Sequence, residues 1–427
     1  MKKIISLLII LSLAIIFGAC PPLEEDDEIL AGETITFDEP FPLDVYKWFE
    51  ILDSIGKERK YVKLDLSKGT YVEGNEAGGL IKVTAVAGVD YAFDPFPAAS
   101  SGKNYIVSII LPAETQMISH AVEDSAIIDN EEDITKAKES SAFRFFTSLR
   151  SVRADNVTLI GNFAFADCKN LNEVIFPRVG HMVSQSELEG NGYRVDIGKY
   201  AFMGCAGLKD VKFNSAAVIG EAAFKECTGL SNIDFPEVWM IENNAFEGCA
   251  KLTNVFFEKA SKIGVKAFKD CTSLKKAEFN VKPERFTSGT PLLISGDPVY
   301  DSVIFYPSVF SGCKAFGVLN VRRAWNVYFS ENVLAHTSSA IEIYLFDEPI
   351  SGTTSFGHPQ NALFLGDTLP ATSLNKVEFF VPVDEGKIQK NAAPNNIKEH
   401  IQSRYKVGVG ADGIDKRIDV SVFVRPL

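Results

Sequence analysis

The sequence predicts a solenoid of short parallel β-strands and turns, covered at its N-terminal end by a small α+β cap. Three observations predict it. Phe202, Phe224, Phe246 and Phe268 fall one 22-residue period apart. Each carries a cysteine three residues later: Cys205, Cys227, Cys249 and Cys271. The residues that follow alternate apolar and polar, as short half-buried strands do. A fixed period of this length marks units that cannot bury an apolar face alone and gain a core only by stacking. Function in such a chain moves from a pocket to an exposed surface.

The complete unit runs Ile219-Gly220-Glu221-Ala222-Ala223-Phe224-Lys225-Glu226-Cys227-Thr228-Gly229-Leu230-Ser231-Asn232-Ile233-Asp234-Phe235-Pro236. It recurs from Ile241 to Glu258 and from Ile263 to Phe279. Upstream copies open at Ile160-Gly161 and Ile197-Gly198 and keep the Ala-Phe, Cys, Leu, Val and Phe positions. A degenerate copy precedes them at Ala142-Phe143, with Phe146 in the cysteine place; another follows with Val309-Phe310, Cys313, Phe316, Leu319 and Val321. Ile343 is placed one period beyond Val321, and Leu374, Val377 and Phe379 read as the last coil. Ile233-Asp234-Phe235 and Val255-Phe256-Phe257 alternate as strands with one face buried. Gly at the second position and Pro after the strand mark the corners. Stacked strands lie about 4.8 Å apart, so roughly nine coils give a rod about 40 Å long.

This unit, I-G-x-x-A-F-x-x-C-x-x-L-x-x-I/V-x-F-P, resembles the BspA-type leucine-rich repeats of bacterial surface proteins. The resemblance covers about residues 106–382, and five consecutive units keep nearly every diagnostic position. It implies a leucine-rich repeat solenoid of the α/β repeat class. Relatives are implicated in adhesion to host matrix proteins and to other bacteria, so it implies a protein partner of that kind here.

Residues 1–20 read as a targeting segment: Lys2-Lys3, an apolar run from Ile4 to Phe17, then Gly18-Ala19-Cys20. The run is short for a membrane-spanning helix, which takes about 20 apolar residues. Phe17-Gly18-Ala19-Cys20 resembles a bacterial lipobox of the looser, spirochaete type, which makes Cys20 the lipid-bearing N-terminus and the membrane a partner through that lipid. The alternative is an ordinary secretory signal. Residues 21–32, with Glu24-Glu25-Asp26-Asp27-Glu28, form an acidic flexible tether. The net charge of −13 argues against nucleic acid or an anionic membrane face as a partner by overall charge. Pro21, after the lipid-bearing cysteine, favours the outer membrane and cell surface, with the periplasmic face as the alternative.

Residues 33–105 do not repeat and form the cap expected over a solenoid's open end. Asp44 caps a helix with Val45, Trp48, Leu52 and Ile55 on one face and Gly56 ending it. Residues 61–66 and 81–86 alternate as strands. At the far end, residues 383–427 form a closing segment. It holds a polar, helix-like stretch near Ile397–Arg404 and an alternating strand at Ile418–Val424.

No catalytic constellation emerges, so the chain is expected to be no enzyme and to carry no cofactor or metal. Gly408-Val409-Gly410-Ala411-Asp412-Gly413 spells a dinucleotide-binding fingerprint, but too little chain follows for the helix and strand that motif needs. Asp129-Asn130-Glu131-Glu132-Asp133 opens like a calcium loop, yet Ile134 stands where Gly belongs and Ser140 where Glu belongs. The five histidines are scattered, and no C-x-x-C pair exists. The six cysteines after Cys20 share one inward repeat position where Phe146 substitutes, so they read as small hydrophobes with free thiols. Disulfides between coils are the alternative.

The period is interrupted near residues 119–141, 180–194, 280–303 and 347–361. All four insertions are expected after the Phe-ending strand and before the next Ile, which gathers them on one edge. Such an edge is either a binding side or simply an exposed turn that tolerates extra chain. Trp239, with Met240 beside it, is the candidate partner contact there. Other copies hold Thr158, Ala217 and Ser261 at the Trp239 place, so its ring points outward or sideways as an aromatic anchor, or packs beneath residues 180–194. The chain is therefore expected to be a lipid-anchored surface binding protein. The alternative is a periplasm-facing structural or assembly scaffold.

Overall fold

Two ladders of parallel strands run through a computed structural model of the chain. It describes residues 32–72, 81–83, 91–93, 101–118, 142–143, 146–180, 195–280, 302–322, 326–330, 332–338, 340–345, 362–365, 376–383 and 419–426. The first ladder opens with β1 (Glu33–Ile35), β3 (Val62–Asp65), β7 (Ile106–Ile110), β9 (Ser151–Arg153) and β11 (Glu173–Ile175). It continues in the pair β12 (Asp210–Lys212) and β14 (Asn232–Asp234). It ends in β16 (Asn254–Phe257), β18 (Lys276–Asn280), β20 (Val318–Arg322), β22 (Ala340–Leu345), β24 (Lys376–Val383) and β25 (Asp419–Pro426). Every pair in it is parallel, as coils wound in one direction require.

The second ladder starts with the hairpin β5 (Ile81–Val83) and β6 (Tyr91–Phe93), which pair antiparallel. It then runs through β8 (Met117–Ile118), β10 (Leu159–Ile160), β13 (Val218–Ile219), β15 (Met240–Ile241) and β17 (Lys262–Ile263) to β19 (Ser302–Phe305), β21 (Asn326–Phe329) and β23 (Ala362–Leu365). Single bridges from Ile160 to Ile197 and from Ile197 to Ile219 join its two sheets. The remaining strands, β2 (Phe41–Leu43) and β4 (Gly69–Tyr71), pair in the cap.

The third side of each coil is a turn, and it too is hydrogen-bonded from coil to coil. Phe202 N–H donates to Ala223 O at 2.7 Å, Phe224 to Ala245 at 2.8 Å and Phe246 to Ala267 at 2.8 Å. Two places per turn take a left-handed backbone. One holds Phe163, Tyr200, Ala222, Asn244 and Lys266; the other holds Asp167, Gly204, Glu226, Gly248 and Asp270. These turns alternate which N–H groups face the neighbouring coil, so the ladder stands in for the partners a strand would have.

The apolar positions meet in one continuous core that runs from Leu43 in the cap to Ile343. Phe165, Phe202, Phe224, Phe246 and Phe268 stack face to face, with ring centroids 5.1 to 5.3 Å apart and planes within 7°. Each such side chain is completely buried, a transfer that stabilises by about 1.5–3 kcal/mol per ring. Phe146, in the cysteine place, lies under the buried ammonium of Lys103 at 5.5 Å.

The structure corrects three expectations. Gly56 does not end the helix: α1 spans Val45–Glu58, and Arg59 takes the left-handed C-cap with its N–H on Ile55 O. Asp44 is the N-cap, accepting from Lys47 N–H, and Trp48, Leu52 and Ile55 are buried as read. Within the cap, β1 and β3 add rungs to the first repeat sheet. Ile343 pairs with Leu319, and Leu345 with Val321, so that coil is two residues longer than the period. Finally, Ile118 pairs with Ile160. The insertion at 119–141 therefore follows the second-ladder strand, while the other three follow the first-ladder strand.

Residues 1–31, with Cys20 and the acidic tether, lie outside the described residues. So do the calcium-like loop, the glycine-rich stretch 408–413, residues 397–404 and most of each insertion.

Candidate functional site

The phenylalanine–cysteine period carries no reactive chemistry. Cys168, Cys205, Cys227, Cys249, Cys271 and Cys313 are free and buried. Each thiol donates to the Phe carbonyl of the preceding coil: Cys205 to Phe165 at 3.1 Å, Cys227 to Phe202 at 3.0 Å, Cys249 to Phe224 at 3.2 Å. Burial pushes every one of these thiols above its ordinary value. Nucleophiles and metal ligands need the thiolate, and this column disfavours it. Among the described residues, no group of three or more His, Cys, Asp or Glu is placed to hold a metal ion. No helix among them is long and apolar enough to cross a membrane.

Interest therefore passes to the outward sides of the coil. On the second ladder, Val157, Ala216, Val238 and Ala260 are all fully buried, which turns the next residue away from the core. That residue is Trp239 in its coil, and it is half-buried. Its N–H donates to Ala217 O at 2.9 Å and its carbonyl accepts from Ser261 N–H at 2.9 Å, so the ladder fixes its backbone on both sides. Met240 follows in β15, also half-buried, between Val218 and Lys262, which are buried. The two residues singled out from sequence are thus adjacent and only partly open. Where the chain rejoins the second ladder after the insertion at 180–194, the Asp196 carboxylate takes the place of a backbone acceptor, accepting from Ala217 N–H at 2.7 Å and Val218 N–H at 3.2 Å.

On the turn side, Glu247 joins two coils. Lys225 Nζ and Lys269 Nζ each lie 3.0 Å from its carboxylate. Burial acts to raise this carboxyl, but the bonds from Asn244, Lys225 and Lys269 outweigh it and hold it below its ordinary value. The neighbouring column alternates Asp167, Gly204, Glu226, Gly248, Asp270 and Gly312. A side chain on Gly204 or Gly312 would collide with the Asp167 or Asp270 carboxylate at 2.4 or 2.1 Å. The alternation keeps acids two rungs apart and gives each one room.

The outward face of the first ladder is different again. Two residues per coil point out, in columns set by the strand register. One column reads Arg153, Ile175, Lys212, Asp234, Phe256, Glu278, Asn320 and Tyr344; the other reads Ser151, Glu173, Asp210, Asn232, Asn254, Lys276, Val318 and Glu342. Most of this face is internally paired. Lys212 Nζ meets Asp234 at 3.0 Å, Lys276 Nζ meets Glu278 at 2.6 Å, and Asn320 Nδ2 donates to Glu278 at 3.2 Å. Ile175, 37% exposed, and Phe256, 52% exposed, break the polar pattern. From sequence alone Phe256 reads as a strand residue. Comparing its place with Lys212, Asp234 and Glu278 would have found it.

The repeat region matches a known family. Six copies of the BspA type leucine rich repeat region fall within residues 103–190 and 195–290. No curated protein matches the chain. Among solved structures, a leucine rich cell surface protein from Faecalibacterium prausnitzii is 18% identical with a TM-score of 0.26; the match covers 55% of this chain and 73% of that one. A leucine-rich repeat protein from Bacteroides ovatus is 17% identical at a TM-score of 0.28, over 72% and 88% of the two chains. The pneumococcal vaccine antigen PcpA is 13% identical at 0.25, over 74% and 85%. Scores this low add nothing to the fold argument, which rests on the ladders and on the repeat itself. Residues 103–190 and 195–290 are thus similar to the BspA-type leucine-rich repeat region.

Proposed function

We propose that this chain is a lipid-anchored surface binding protein that adheres to host matrix proteins or to other bacteria and catalyses nothing. The observation that supports it best is how the coil divides its residues. The apolar repeat positions, cysteines included, lie in the core or against it. What differs from coil to coil lies on the outward faces and at the insertions. A scaffold built this way offers recognition surface and no reaction centre. Cys20 carries the lipid, and the acidic segment 21–32 holds the solenoid away from the membrane.

The contact surface is the edge between the end of the first-ladder strand and the second ladder, where three of the insertions enter, with Trp239 and Met240 on it. Binding of the mature chain to immobilised fibronectin, laminin and collagen, with each insertion deleted in turn and with Trp239→Ala, tests this edge. Loss of binding in at least one variant is expected, and equal binding by all of them refutes it. Protease treatment of intact cells tests the location. Survival of the chain until the outer membrane is broken would favour the periplasmic scaffold instead.

A further inference from the structure

We propose that the outward face of the first ladder is a second, separate docking surface. It takes a basic polypeptide segment, one arginine of which stacks on Phe256 between Asp234 and Glu278. This face is distinct from the Trp239 edge.

The register sets the geometry. Phe256 pairs with Glu278 across β16 and β18, and Asp234 stands one 22-residue period before Phe256. At about 4.8 Å per rung, the three side chains span about 10 Å along one column. An aromatic face flanked by two carboxylates is complementary to a guanidinium. The planar cation lies over the ring while its N–H groups reach acceptors at either side. An apolar partner residue would gain the ring but leave both carboxylates facing it. An acidic partner is repelled outright.

The charge balance of the face points the same way. Its two columns from β9 to β22 hold five carboxylates, Glu173, Asp210, Asp234, Glu278 and Glu342, against three cations, Arg153, Lys212 and Lys276. The ion pair nearest the ring on one side, Lys212–Asp234, has both side chains more than half exposed. Such pairs contribute little, so a partner's arginine can displace the lysine at small loss. On the other side Glu278 already accepts from both Lys276 and Asn320. A carboxylate has further lone pairs for a third donor.

The test uses the full chain at low salt and three labelled hexapeptides, alternating Gly-Arg, Gly-Lys and Gly-Glu. The Gly-Arg peptide is expected to bind, more weakly as salt rises, and at least threefold tighter than Gly-Lys, with Gly-Glu not binding. Phe256→Ala is expected to weaken the Gly-Arg complex about fivefold, the scale of an exposed cation–aromatic contact. Phe256→Tyr keeps a ring and should keep the affinity, and Trp239→Ala should leave it unchanged. Equal affinity of Phe256→Ala and the unmodified chain, equal affinity for the arginine and lysine peptides, or no binding of the arginine peptide would each overturn the proposal. Because Phe256 is outward and half exposed, its replacement does not test the fold.

Discussion

A coil of this solenoid is held by groups that each do two things. The Phe224 carbonyl accepts both the Cys227 N–H at 3.1 Å and the Cys249 thiol at 3.2 Å. The Phe224 ring stacks on Phe202 and Phe246 at 5.1 and 5.3 Å. Phe224→Ala removes two stacking contacts and opens a cavity in a fully buried column, so a loss of about 3–5 kcal/mol is expected in denaturant unfolding. Phe224→Leu should cost visibly less, since it keeps most of the volume. Asp196 makes the complementary case for a polar group. It is buried and supplies the acceptor that Ala217 and Val218 would otherwise lack. Asp196→Ala leaves two buried donors unpaired and should cost about 1–3 kcal/mol, while Asp196→Asn, which keeps an oxygen, should recover part of it. If Asp196→Ala were neutral by thermal unfolding, the repair of the ladder at the insertion would be misread.

At the scale of elements, the repeat was legible and its exceptions were not. Any stretch that spells I-G, A-F and Cys at fixed offsets lands where its spelling puts it, because stacking leaves an apolar ladder no other register. Met117-Ile118 carries no glycine after the isoleucine, so only its pairing with Leu159-Ile160 shows that it belongs to the second ladder. Without that glycine, the sequence does not show that the insertion at 119–141 follows the second-ladder strand. The α1 terminus failed for a different reason. Gly56 reads as a helix stop, but its missing side chain serves the neighbouring chain, since a Cβ there would sit 2.8 Å from Ser101 Oγ. Gly102 is the partner in this close approach, and a Cβ on it would lie 2.0 Å from Leu52 O. The obstacle is helix backbone that cannot swing aside. Gly102→Ala should therefore destabilise the cap by about 1–3 kcal/mol as overpacking does, whereas Gly56→Ala meets only a movable hydroxyl and the close Gly102 backbone and should cost less. Circular dichroism melting of the two variants gives the order directly. Of the candidate surfaces, the Trp239 edge was legible because one copy departs from its siblings. Phe256 departs in the same way, but it sits beside Phe257 in a strand whose aromatic pair reads at first as core.

At the scale of the whole molecule, the stacking that makes the core also stacks six thiols in it, and this gives the fold an alkaline weakness. Burial raises these thiols above their ordinary value of 9.0. A folded-state value above the unfolded one means that the contribution is fully present below about pH 9. It is lost as pH rises, because the unfolded chain releases thiol protons that the folded chain retains. Each thiol can lower stability by about 1.4 kcal/mol per pH unit above that point, and all six act in the same direction. Tyr200, pushed up to about 12 chiefly by burial and then by Glu221, adds to the trend at higher pH. Glu247 works at the other end: its lowered carboxyl stabilises the fold above the ordinary carboxylate value and stops doing so in acid. It ties its coil to the two beside it through lysines that are about a third exposed, so its share stays at about 1 kcal/mol. The denaturant midpoint, measured under reducing conditions, should accordingly be nearly level from pH 6 to 8 and fall steeply between pH 9 and 10. Cys227→Ala should start lower at pH 7 and fall less steeply, because one proton fewer is released on unfolding. Identical slopes for the variant and the unmodified chain would show that the buried thiols are not the source of the alkaline loss.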